Sequence, residues 1–108
     1  MSKYANMGRW NASELVTELA SVFKALGDQN RLAIFQLIRE RGGHRRTEQE
    51  IANSVSEIAS EFDLSLSTVS HHIKELRNSG LIRCEKHGQT VRCFVDQAAL
   101  ERLKAFLR

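Results

Sequence analysis

A mostly α fold with one small β-hairpin, α+β in class, is what the sequence predicts, and three observations carry it. From Val55 to Phe94 the chain reads VSEIASEFDLSLSTVSHHIKELRNSGLIRCEKHGQTVRCF, with a short helical pattern, a break at Asp63 to Ser65 and a second helical pattern that stops at Gly80. Two β-rich segments around Gly88 follow directly. Strong helical spacing of apolar residues stands on both sides of this unit, from Leu15 onward and from Leu100 onward. The order helix, tight turn, helix, hairpin is that of a winged helix-turn-helix.

The 108 residues make one domain, able to bury roughly 65% of the surface its unfolded chain exposes. A core of that size gains from a partner subunit. Net charge is +3, and placement makes it informative. Between Ser65 and Val95 stand five cations (Lys74, Arg77, Arg83, Lys86, Arg92) against Glu75 and Glu85, so this segment carries the whole excess. A basic patch on such a unit suits an anionic partner. No apolar run approaches a membrane span and no signal-peptide pattern opens the chain, so a soluble cytoplasmic protein is expected. Two Cys do not make a secreted disulfide scaffold.

In chain order, residues 1–12 lack a period and are expected to form a flexible arm, with the folded domain over 13–108. Asn11 and Glu14 have capping-box spacing, and Leu15, Val16, Leu19, Val22, Phe23 and Leu26 then recur at helical spacing up to Gly27. A second helix starts near Asp28 or Asn30 and ends by the Gly42-Gly43 pair. His44 to Ser54 is the least defined stretch, with a basic start at Arg45 and Arg46 and room for one helical turn over Glu48 to Ala52. Ser54 or Ser56 caps the next helix, through Phe62; Ser65 caps the one after, through Asn78. Leu81 to Lys86 and Thr90 to Val95 read as hairpin strands. Asp96 caps a last helix with a stripe of Leu100, Leu103 and Leu107. The stripes of the first and last helices either complete the domain core or pack on a second subunit; periodicity fits both.

The second helix of the tight pair carries the chemistry. At roughly 100° per residue, Val69, Ile73 and Leu76 share one face. Ser67, His71 and Lys74 point away from it, with Thr68 and Ser70 on the flanks and Ser65 at the start. Hydroxyls, imidazole and ammonium at the start of such a helix reach phosphates and base edges. A merely solvated face has the same composition; the position, second in the pair and ahead of a basic hairpin, favours double-stranded DNA as partner. His72 lies at the edge of the apolar face and reads as a packed histidine. Lys86, His87 and Gln89 gather at the hairpin tip, where they either meet a minor groove or backbone or simply solubilise a turn. Steep loss of binding with salt separates DNA binding from protein docking on this fold. No nucleophile–base pair, phosphate loop or paired carboxylate site points to an enzyme.

FKALGDQNRLAIFQLI (Phe23 to Ile38) and SEIASEFDLSLSTVSHHIKELRNSGLI (Ser56 to Ile82) closely resemble the ArsR family of winged-helix repressors. The family segment LGDxxRLxI matches Leu26, Gly27, Asp28, Arg31, Leu32 and Ile34, and LSxSTVSHHIKxLxxxGLI matches Leu64 to Ile82 almost throughout. The resemblance implies a homodimer through the first and last helices, with Leu15, Leu19, Val22, Leu100, Leu103 and Leu107 at the contact. It also implies a palindromic operator and release of DNA on sensing a small signal. The sequence names no inducer.

Metal-sensing members carry recognisable ligands. One group has a thiol pair, as in CVC, where this chain has Ser54-Val55-Ser56. Another places Asp and His along the last helix, which here offers Asp96, Glu101 and no His. Adjacent His71 and His72 diverge on a helix and do not share an ion. Neither a metal nor another cofactor is expected. Cys84 and Cys93 fall on one apolar hairpin face with Ile82, Val91 and Val95. A turn centred on Gly88-Gln89 sets them directly opposite; one centred on His87-Gly88 sets them diagonal. They are either inert small hydrophobes or a thiol switch helped by Arg83, Lys86 and Arg92.

Overall fold

The computed structural model describes residues 14–41 and 54–108. The expected N-terminal arm, Asn11 as a cap, and the stretch from His44 with Arg45, Arg46 and a turn at Glu48 to Ala52 lie outside the described residues. The described elements are α1 (Glu14–Leu26), α2 (Gln29–Glu40), α3 (Val55–Ser60), α4 (Leu66–Asn78), β1 (Ile82–His87), β2 (Thr90–Val95) and α5 (Gln97–Leu107).

Short polar side chains start four of the helices. Asp28, Ser54, Ser65 and Asp96 have extended backbone and accept hydrogen bonds from the N–H groups of Arg31, Glu57, Thr68 and Ala99. Each satisfies a donor that the first helical turn leaves unpaired. The Arg31 N–H holds the Asp28 carboxyl below the usual carboxylate range. Of the sequence alternatives, Asp28 and Ser54 are the caps in use.

The ends follow backbone economy. α3 stops at Ser60, two residues short of the expected Phe62. Its last turn tightens instead, with Glu61 N donating to Ile58 O at 3.1 Å and Phe62 N to Ala59 O at 3.2 Å. Phe62 leaves the helix yet still packs on the core. α4 ends where Gly80 takes φ +88, a conformation costly for any residue with a Cβ. The buried Ser79 hydroxyl donates to Leu76 O at 2.7 Å and stabilises the same corner.

β1 and β2 pair antiparallel from Ile82↔Val95 to His87↔Thr90, which leaves Gly88-Gln89 as a two-residue turn. Gly88 has φ +64 and no described non-glycine residue has positive φ, the pattern of a type II′ turn with Gly first. Ser54 makes a further bridge to Arg92, so the chain entering α3 leans on the edge of β2.

One core joins these parts. Ile34, Ile38, Ile58, Val69, Leu76 and Leu81 are fully buried at the meeting of α2, α3, α4 and the hairpin. Leu19 and Val22 of α1, with Leu100 and Leu103 of α5, close it from the other side. The resemblance implied a subunit contact for these four; within a single chain they are 4%, 1%, 9% and 7% exposed. The apolar stripes of α1 and α5 are wider than one neighbour covers. Their centres face the chain's own core, while Leu15 and Leu107 remain exposed.

Candidate nucleic-acid interface

α4 is fixed on its inner face and open on its outer one. Val69, His72, Ile73 and Leu76 are buried. Ser65, Ser67, Ser70, His71 and Lys74 are exposed, and Thr68 is half-buried. At the helix start three hydroxyls are linked: Ser65 Oγ lies 2.8 Å from Thr68 Oγ1 and 3.1 Å from Ser67 Oγ. The same Ser65 Oγ accepts from Thr68 N at 3.1 Å. Such a cluster beside the positive end of a helix suits a phosphate or a base-edge acceptor. Ser65→Ala is expected to lower stability by about 1 kcal/mol and to release the Thr68 side chain. Urea unfolding reads the first effect.

His72 confirms the packed reading, and its partner is one that sequence reasoning missed. Its Nδ1 accepts from Arg31 Nε at 3.3 Å, while Arg31 Nη1 donates to Ala25 O at 3.3 Å. Arg31 thus ties the end of α1 to the inner edge of α4. No local pattern in the sequence signals this pair, because Arg31 and His72 lie 41 residues apart. His71 points elsewhere; the two rings lie 6.0 Å apart and tilted by 52°.

The wing lies beside the helix start. Ser70 of α4 and Gln89 of the turn line one open groove of about 310 Å³ with Ser54, Ser56, Leu66 and Thr90 among its walls. Lys86 and His87 are exposed near the tip. Glu85 moderates that charge, with its carboxylate 3.2 Å from His87 Nε2 and 3.8 Å from Arg83 Nη1.

A family model described as a helix-turn-helix domain matches residues 26–85. A Staphylococcus aureus protein, named a cadmium resistance transcriptional regulatory protein CadC homolog, is 33% identical over 92 residues, 83% of this chain and 69% of that one. The solved structure of an ArsR-like transcriptional regulator from Rhodococcus sp. RHA1 matches with TM-score 0.65 at 31% identity, covering 84% of this chain and 76% of the other. The chain belongs to the ArsR family of transcriptional regulators. The fold is shared more widely. A homodimeric winged helix-turn-helix DNA-binding domain from Mycobacterium bovis, a possible ArsR-family regulator, matches with TM-score 0.64 at 22% identity over 99% of this chain and 82% of that one.

Against the ArsR pattern, Ser54 stands where some members have a thiol, and here its hydroxyl is a buried helix cap. Among the described residues no group of three or more His, Cys, Asp or Glu converges as a metal site. No described helix is long and apolar enough to cross a membrane.

Proposed function

We propose that this regulator is a cytoplasmic homodimeric repressor that seats its two α4 helices in successive major grooves of a palindromic operator. The carrying observation is the two-sided α4: Val69 and Leu76 are fully buried while Ser67, Ser70, His71 and Lys74 stand outside, next to the wing tip. In this reading Ser67, Thr68 and His71 meet base edges. Ser65, Ser70 and Lys74 meet phosphates, and Lys86, His87 and Gln89 follow the adjacent backbone or minor groove.

Dimerisation uses the apolar surface that the core leaves uncovered. Leu15, Val16 and Phe23 of α1 and Phe106 and Leu107 of α5 are exposed. Phe23 and Phe106 are in edge contact at 5.9 Å, so the two helices present one continuous patch. Exposed patches of this kind mark association sites. Two-fold pairing places the reading helices roughly 34–36 Å apart, one turn of duplex. Both familiar metal-ligand sets are replaced in this sequence, which argues against those two modes of metal sensing.

Fluorescence anisotropy on DNA from the region upstream of the protein's own coding sequence, against random DNA, tests the reading. His71→Ala is expected to reduce operator preference by roughly tenfold and leave random-DNA affinity nearly unchanged. Lys74→Ala is expected to weaken both alike and flatten the salt dependence. Equal loss on both DNAs for His71→Ala would remove it from base reading; salt-independent binding would overturn the DNA interface.

A further inference from the structure

The wing carries a pair of groups that DNA binding does not use. Cys84 and Cys93 are directly opposite in the hairpin register, with their sulfurs 4.0 Å apart. Counting outward from the two-residue turn, His87↔Thr90 is a hydrogen-bonded pair and alternation makes Cys84↔Cys93 a non-hydrogen-bonded one. Cα atoms at such positions stand about 4.5 Å apart. That lies at the short end of the span a disulfide bridges, so a bond needs side-chain rotation and added twist but no change of register.

The pair is asymmetric. Cys93 is completely buried, whereas Cys84 is only half-buried. The hydrogen bond from the Cys93 thiol, assisted by the Arg77 guanidinium on α4, lowers Cys84 to about 7 against the opposing effect of burial. The same hydrogen bond and burial push Cys93 up. The cations Arg83 and Arg92, expected from sequence to assist, alternate onto the other face of the hairpin; Arg77 takes that part instead.

We propose that Cys84 and Cys93 form a dithiol site in the wing that low-molecular-weight disulfides oxidise to an intrachain disulfide, and that this bond weakens operator binding. Cys84 thiolate attacks one sulfur of RSSR, forming Cys84–S–S–R and expelling RS⁻. Cys93 sulfur then attacks the Cys84 sulfur, and the second RS⁻ leaves. The two protein thiols lose two electrons and two protons, and RSSR becomes two RSH. Because the strands already stand at the short end of that span, the bond strains and twists the wing, which displaces Lys86 and Gln89 at its tip. That consequence for DNA rests on the function proposed above; the chemistry of the pair does not.

Glutathione disulfide is the probe. Intact mass, free-thiol count and operator anisotropy are followed on the full chain, with Cys93→Ala and Cys84→Ala alongside. The wild type is expected to lose both thiols without retaining glutathione. Its operator affinity is expected to fall by roughly tenfold, as loss of a few phosphate contacts across two wings entails, and to return with dithiothreitol. Cys93→Ala is expected to stop at a glutathione adduct on Cys84, and Cys84→Ala to stay unreacted. If Cys93→Ala does not fold, the wild type and Cys84→Ala decide. Persistence of both thiols would overturn the site, and a bond that leaves affinity unchanged would overturn its effect on DNA. Reduced protein that ignores the operator would overturn the proposed function instead, with the mass still reporting on the site.

Discussion

Phe23→Glu combined with Phe106→Glu is expected to convert a dimer into a folded monomer and to lower operator affinity by a hundredfold or more, on the order of the gap between specific and non-specific binding. In one chain both rings are largely exposed, at 43% and 56%, so the fold loses little beyond their mutual edge contact. In a two-fold interface the double variant places four carboxylates where apolar surface meets its copy, and unpaired charges are not tolerated there. A monomer offers one α4 to one half-site. Sedimentation velocity reads the mass and circular dichroism confirms the helices; an unchanged dimer would move the interface away from this patch. Leu103→Glu separates the two roles of α5, because Leu103 is only 7% exposed and belongs to the core. That single change is expected to unfold the chain rather than to release a folded monomer.

The contrast between Leu103 and Phe106 shows where sequence reading stops. Periodicity reports the width of an apolar stripe, and which part of it a chain's own core covers depends on how helices from distant segments meet. α4 was legible to the residue because both of its limits are local: the Ser65 cap and the Gly80 corner act within one turn. The end of α3 was not, since a tightened turn at Glu61 and Phe62 leaves no mark in residue type. Two hairpin registers were open, and the left-handed Gly88 at the first turn position selects the one with opposed cysteines. The outward residues of α4 were readable from spacing alone. The Arg31–His72 bond joins residues 41 apart, and nothing local announces it.

The second large effect is expected at Ile58, where replacement by Ala should cost about 2–5 kcal/mol, out of the roughly 5–15 kcal/mol that holds such a domain together. α3 spans only six residues, too few to persist on its own. Its anchors include the Ser54 cap, the Arg41–Glu61 ion pair and the fully buried Ile58 side chain. The cap is worth about 1 kcal/mol. The ion pair has a half-exposed carboxylate and is worth ~1 kcal/mol at most. Ile58 therefore dominates, and it belongs to the same buried core as Ile34, Ile38 and Leu76. Its loss leaves a cavity under the first helix of the reading unit, so the melting temperature should fall by roughly 10 °C or more. DNA affinity at low temperature should fall far less, because the outer face of α4 is untouched. A thermal melt within about 2 °C of wild type would mean that Ile58 is not what anchors α3.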